Sequence, residues 1–230
     1  MISRVDETLE EIIERLKIKT RELANKTGKL EYEDLPEGRR GEGGWDCVYS
    51  EPDEVIWKRN NIPKRYIGSS FDTFAGNDPL VKTVQSYLEG DSDIIFMGKT
   101  GSGKSHLAAS CLKELRIDWA RFVTAPELLL EIRASFGNRE EKETEQEIIN
   151  RYCEYQILVL DDLGAEKSSD YSITTLYLII DRRIRNCKRT IITTNLTLEE
   201  IELNLDARIA SRLSGMKIVK ITMPDYRKKR

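Results

Sequence analysis

The sequence predicts an α/β domain, a parallel sheet flanked by helices, preceded by a small helical N-terminal segment. Three observations carry this prediction. From residue 54 onward, apolar runs of strand length alternate with segments of helical period, the order that builds a parallel sheet with helices on both faces. The run Ile157-Leu158-Val159-Leu160 is apolar at every position, as a strand covered on both sides must be. Gly98–Ser105 reads GKTGSGKS and lies between the apolar run Ile94-Ile95-Phe96-Met97 and a helical pattern, His106–Leu115.

The elements follow in order. Residues 3–24 read as an amphipathic helix, with Val5, Leu9, Ile12, Ile13 and Leu16 on one face and Ser3 with Asp6 in a capping arrangement. An apolar stripe serves equally for packing on the chain's own domain and for docking a partner. Residues 25–53 are rich in Gly, Asp and Glu without a sustained period, and Pro36–Gly44 reads as a linker. The organisation predicted is an N-terminal helical segment and linker over 1–50 and a main domain over 54–230. In that domain strands are expected at 93–97, 120–124, 156–161, 190–194 and 217–222. Helices are expected at 78–89, 103–116, 126–136, 141–153, 171–187 and 197–203.

Composition narrows the function classes. The 230 residues carry a formal net charge of −3, so a globally basic nucleic-acid binder is not indicated, although a local patch is compatible. No apolar stretch approaches the roughly 18 residues of a membrane span, and the charged N-terminus does not read as a signal peptide. A cytoplasmic location is the expectation. Cys47, Cys111, Cys153 and Cys187 are far apart, and His106 is the single histidine, so neither a zinc site nor a catalytic thiol is expected. Cys111 and Cys153 are expected in the core.

Gly98–Ser105 fits GxxxxGK[ST] at every fixed position, the pattern of a P-loop NTPase. Glycines let the backbone wrap an anion with its N–H groups inward, and the following helix N-terminus adds partial positive charge. Gly98, Lys99, Thr100, Gly101, Ser102, Gly103, Lys104, Ser105 and His106 are therefore the expected nucleotide-binding residues for ATP or GTP. Lys104 is expected on the β- and γ-phosphates and Ser105 on Mg²⁺. The strand Ile157–Leu160 ends in Asp161 and Asp162. Asp161 is expected to hold Mg²⁺, and Asp162 to orient or deprotonate the attacking water. The strand Thr190–Thr194 runs into Asn195, which fits either a water-positioning amide or an ordinary turn residue.

Taken together, GKTGSGKSHLA, LVLDDLGAEK, TIITTN and RIASRLSG resemble the AAA+ ATPases of the DnaC/DnaI helicase-loader group. Asn61–Tyr66, Ser70–Phe74 and Asp225–Arg227 are similar to that group as well, and the resemblance covers roughly residues 60–230. It implies ATP with Mg²⁺, Asn195 as the sensor-1 residue, and Arg212 as an arginine finger reaching the ATP of a neighbouring subunit. Arg208 is the alternative finger. Tyr66–Phe74 is implied at the adenine, and Arg227 as a sensor of nucleotide in its own chain. The chain departs from the pattern in three ways. It lacks the cysteine-rich zinc module of some loaders. It has Asp162 where many AAA+ proteins have Glu. It ends at Arg230, which leaves an expectation of no C-terminal lid domain.

The group also implies single-stranded DNA binding. Asp181–Arg185 with Lys188 and Arg189, and the tail Arg227–Arg230, are the basic stretches available for a phosphate backbone, or equally are solvated helix ends. The acidic run Glu140–Glu145 argues against phosphate contact by the outer face of helix 141–153. The function implied is an ATP-dependent helicase loader in DNA replication, with a replicative DNA helicase, single-stranded DNA and further copies of itself as partners. An IstB-type transposition helper and a non-hydrolysing nucleotide-binding adaptor are the alternatives.

Overall fold

The computed structural model describes residues 53–74, 78–137, 143–166 and 169–226. These belong to the unit Glu51–Arg230 of the chain. The expected helix at 3–24, the linker, Cys47 and the tail from Arg227 lie outside the described residues.

Five strands form one sheet: β1 (Ile94–Gly98), β2 (Ala120–Thr124), β3 (Ile157–Leu163), β4 (Arg189–Thr194) and β5 (Lys217–Ile221). All pairings are parallel, and the order across the sheet is β2-β3-β4-β1-β5. The helices are α1 (Asp53–Arg59), α2 (Asp78–Glu89), α3 (Lys104–Leu115), α4 (Ala125–Ala134), α5 (Glu145–Glu154), α6 (Asp170–Arg185), α7 (Leu198–Asn204) and α8 (Ala207–Leu213). The strand-to-strand alternation read from the sequence is therefore present, with shifts at element ends.

Those shifts have local causes. Helix α5 starts at Glu145 because Thr144 caps it, in a reciprocal capping box with Glu147. Helix α6 stops at Arg185, and Cys187 turns the chain with φ 51° into β4. Helices α1 and α8 were not among the expected elements. Each has seven residues, and so has the expected α7, so length alone does not separate them.

Strand pleating explains why the apolar runs of the central strands β1, β3 and β4 are buried at every position. Ile95, Met97, Leu158, Leu160 and Ile192 join a core beneath α4–α8, while Ile94, Phe96, Ile157, Val159 and Ile191 join the other beneath α1–α3. Successive side chains feed opposite layers, so every position is buried. Cys111 and Cys153 are buried free thiols, as expected, and Cys187 is exposed. No helix among the described residues is long and apolar enough to cross a membrane.

Arg183 is fully buried on α6. Its guanidinium donates to the carbonyls of Tyr152 at 2.8 Å, Cys153 at 3.2 Å, Tyr155 at 2.8 Å and Arg189 at 2.6 Å, and to Thr190 Oγ1 at 3.0 Å. Two of these acceptors are last-turn carbonyls of α5, which have no partner within their own helix, and the cation opposes the negative end of that helix. Burial pushes the Arg183 pKa down to about 10, still charged at neutral pH. Arg183→Met strands all five acceptors. We expect a loss of about 3 kcal/mol or more in urea unfolding, with the slope unchanged.

Candidate nucleotide site

The strand order places the site. Because β4 lies between β1 and β3, the residue that follows β4 falls between the loop after β1 and the acids at the end of β3. Asn195, the glycine loop and Asp161–Asp162 thus meet at the carboxyl edge of the sheet, where open α/β sheets bind ligands.

The loop needs its glycines for different reasons. Gly101 and Gly103 have φ of 77° and 96°, and a Cβ on Gly103 would stand 2.6 Å from the Phe74 ring. A Cβ on Gly98 would stand 2.3 Å from the Ile221 carbonyl oxygen, so this glycine permits close approach of β5. Helices α4, α5, α6, α7 and α8 each begin at a Ser, Thr or Asp whose side chain accepts a first-turn N–H. Helix α3 begins after Gly103, with no side-chain cap. Its leading N–H groups are therefore available to an anion, which is what a phosphate cradle requires.

Lys104 is 5% exposed, and its Nζ donates to the carbonyls of Gly98 at 2.9 Å and Lys99 at 3.0 Å and to Asn195 Oδ1 at 2.7 Å. The lysine thus meets Asn195 across 91 positions of sequence. Gly98 and Lys99 act here through their carbonyls, whereas Thr100–His106 line the cavity itself.

On the acid side, Asp161 is 3% exposed, and its Oδ1 accepts from Thr193 Oγ1 at 2.6 Å. Burial raises its pKa, and the adjacent Asp162 charge adds to that; the Thr193 and Ser105 hydroxyls and the Lys104 ammonium oppose it. A desolvated carboxylate beside a serine hydroxyl is a hard-oxygen set, the chemistry of Mg²⁺ rather than of thiophilic metals. Ser105 and Asp161 are the residues that would hold the ion. Asp162 sits with φ 55°, where the β3–β4 register shifts between Leu160 and Leu163, and its N–H donates to Thr193 Oγ1 at 2.9 Å. The bulge breaks strand alternation, so Asp161 is buried toward β4 while Asp162 lines the cavity. Aspartate tolerates this left-handed conformation better than most side chains, which suits Asp at the place where Glu is common in AAA+ proteins.

The cavity, about 720 Å³, extends from the loop to Arg65, Tyr66, Thr73 and Phe74 on one side and Met223 and Tyr226 on the other. Met223 and Tyr226 come from beyond β5, and Tyr226 N–H donates to the Gly101 carbonyl at 3.0 Å. From the Tyr66–Phe74 stretch, Tyr66, Thr73 and Phe74 thus line the same cavity as the loop. His106 fastens that stretch. Its Nε2 lies 3.0 Å from the Ser70 carbonyl and 3.2 Å from Thr73 Oγ1, and its Nδ1 lies 3.2 Å from Ser69 Oγ. Burial holds its pKa below the usual histidine value. His106 therefore borders the cavity, but its ring nitrogens serve the protein rather than a ligand.

Arg212 does not line this cavity. Its Nε donates to Asp181 Oδ1 at 2.8 Å, and its side chain is 40% exposed. Arg208 directs both Nε and Nη2 to Asp206, each at 3.0 Å, with its guanidinium 4.6 Å from the Tyr177 ring centroid. Within one chain the arginines and the loop are thus apart.

The basic stretch at the end of α6 requires a correction. Arg183 is buried under carbonyls, and Arg189 is 9% exposed and donates to the Leu88 carbonyl at 2.6 Å. Arg185 pairs with Asp181 at 2.9 Å, Lys188 with Glu154 at 3.1 Å, and Arg182 donates to Asn150 at 3.0 Å. Helix α6 ends where β4 begins, at the sheet edge opposite the nucleotide cavity. As a block, this stretch is not a free cationic strip for a phosphate backbone.

Comparison with known proteins places these features in a wider set. Residues 74–230 match the family described as IstB-like ATP binding protein. The replicative helicase loader DnaC of Escherichia coli K12 is 31% identical over 139 residues, covering 58% of this chain and 56% of that protein. This chain thus spans just over half the length of that curated relative. A crystal structure of the DnaC helicase loader is similar with a TM-score of 0.61 and 25% identity, covering 70% of this chain and all of that one. A replication initiator DnaA bound to AMPPCP and single-stranded DNA shares the fold, with a TM-score of 0.59 at 20% identity over 68% of this chain and 50% of that one. The sheet is thereby that of a P-loop AAA+ domain.

Proposed function

Since the chain belongs to the IstB-like ATP-binding proteins, we propose that it is an ATP-dependent loader of a replicative DNA helicase. The observation that carries the ATPase part is the meeting of Lys104, Asn195 and Asp162 at one cavity, with the adjacent Asp161 buried. The loader part is supported by the similarity to DnaC in both sequence and fold. ATP with Mg²⁺ is the cofactor, and the location is cytoplasmic.

The geometry supports the following roles for the site residues. The α3 N-terminus and the Thr100–Ser105 backbone hold phosphates, and Lys104 neutralises them. Replacing its contact with Asn195 by a phosphate oxygen frees the amide to position water. Asp162, on its bulge, is the acid that faces the cavity and accepts the water's proton. Ser105 and Asp161 would hold Mg²⁺, which when bound would supply neutralising charge to the phosphates. Arg212 acts on the ATP of a neighbouring copy, and Asp181 fixes it through Nε. Arg208 is the weaker candidate because its fork is engaged by Asp206 in a bidentate pair. The N-terminal segment, 1–50, docks the helicase, and the self-associated copies bind single-stranded DNA.

The family description favours a second reading, a transposition helper ATPase of the IstB type. Affinity purification against the replicative helicase of the same cell, with ATP present, separates the two. Stable association supports the loader, and no association contradicts it. Hydrolysis is tested apart from partner choice. Asp162→Asn is expected to bind ATP within about threefold of wild type but to turn it over about 100-fold more slowly, because general-base assistance is lost. A wild-type protein with no turnover, even with helicase and DNA added, points to a non-hydrolysing adaptor.

A further inference from the structure

Thr193 is fully buried on β4, two positions before Asn195. Its hydroxyl makes two contacts at once: Oγ1 donates to Asp161 Oδ1 at 2.6 Å and accepts the Asp162 N–H at 2.9 Å. It therefore touches both acids, from a strand that carries neither. The next residue, Thr194, donates to the Leu163 carbonyl at 2.8 Å, closing the far side of the same register shift. The bulge at Asp162 is thus held from β4 on both sides.

This arrangement sets the two carboxylates for different tasks. The Thr193 hydroxyl engages Asp161 Oδ1, which fixes the rotation of that carboxylate and leaves Oδ2 outside this contact, with the Ser105 hydroxyl also beside the group. By accepting the Asp162 amide, the same hydroxyl satisfies a backbone donor that the bulge removes from the regular ladder. Without it, the left-handed residue loses the contact that opposes its strain. One hydroxyl that donates to one acid and accepts from the next couples the position of the ion-holding group to that of the water-facing group.

We propose that Thr193 is a positioning residue for Mg²⁺ at this site, acting through Asp161 and through the bulge at Asp162. The proposal rests on the reading of Asp161 as an ion-holding residue. Serine retains both hydrogen-bonding functions, whereas valine matches the shape of threonine and retains neither. The chemistry, not the volume, is therefore the variable.

The test measures binding of a fluorescent ATP analogue to wild type, Thr193→Val, Thr193→Ser and Asp161→Asn, in EDTA and over a Mg²⁺ titration. Melting temperatures are recorded for each. Partners that orient a metal ligand typically contribute 10–100-fold to metal affinity, so the Mg²⁺ midpoint of Thr193→Val is expected to rise by about tenfold or more. Affinity in EDTA is expected to stay within about twofold, and Thr193→Ser is expected to titrate like wild type. An unchanged Mg²⁺ midpoint in Thr193→Val overturns the proposal. So does an equal loss of affinity with and without Mg²⁺, the mark of a merely structural role, or a serine variant as impaired as valine. If Asp161→Asn itself leaves the Mg²⁺ midpoint unchanged, the underlying reading of the site fails, and the role of Thr193 fails with it. A midpoint that rises in Asp161→Asn but not in Thr193→Val isolates the failure to Thr193.

Discussion

Lys104→Ala is expected to abolish turnover and to weaken binding of ATP by about 100-fold, the loss of a buried charge-assisted contact to phosphate. The magnitude follows from the environment. The ammonium is 5% exposed and is already aimed at the loop by two carbonyls of that loop and by Asn195. A lysine held in this way loses little side-chain entropy when phosphate arrives, so most of its attraction is expressed as affinity. Isothermal titration with a non-hydrolysable analogue and a phosphate-release assay check the two parts. Retained binding within threefold of wild type would remove the loop from the nucleotide site.

Arg212→Ala is expected to leave nucleotide affinity of the single chain within about twofold, yet to lower turnover by about 1,000-fold under conditions of assembly. The contrast arises because Arg212 is absent from the lining of its own chain's cavity. Its Nε is tied to Asp181, and the partly exposed guanidinium projects from α8. Arg208→Ala is expected to be milder, because that arginine serves its own helix N-terminus through Asp206 and rests on Tyr177. Single-turnover rates for the two variants at matched protein concentration decide between the arginines.

How much of this was legible in the sequence depended on whether a feature is local in the chain. Gly98–Ser105 and the Asp161–Asp162 pair are contiguous, so a strand followed by a loop or by acids could be read directly. Strands β1 and β3 were legible because burial on both faces gives them continuously apolar runs, whereas the edge strand β5 intersperses Lys217 and Lys220 among its apolar residues. Thr193 was not singled out, because a threonine in a strand has no signature until its neighbour across the sheet is known. Arg65, Met223 and Tyr226 reach the cavity from segments remote from the loop, and only tertiary folding brings them there. The basic stretch 181–189 misled for a physical reason. Counting charges does not reveal that Arg183 feeds carbonyls at the end of α5, or that Arg185 and Lys188 face acids. His106 was legible as part of the motif but not in its function, since its partners, Ser69, Ser70 and Thr73, lie more than thirty positions away.

The central claim is that one chain supplies the loop and a second supplies the arginine for the same ATP. It is tested most directly by mixing Lys104→Ala with Arg212→Ala, each inactive alone. In a mixed assembly some sites join an intact loop from the Arg212→Ala chain to an intact Arg212 from the Lys104→Ala chain. The prediction is turnover in the mixture well above the sum of the separate variants, rising with the extent of assembly and absent from the Lys104→Ala, Arg212→Ala double variant. A mixture no more active than its components, while size measurements show that the two variants co-assemble, would contradict it.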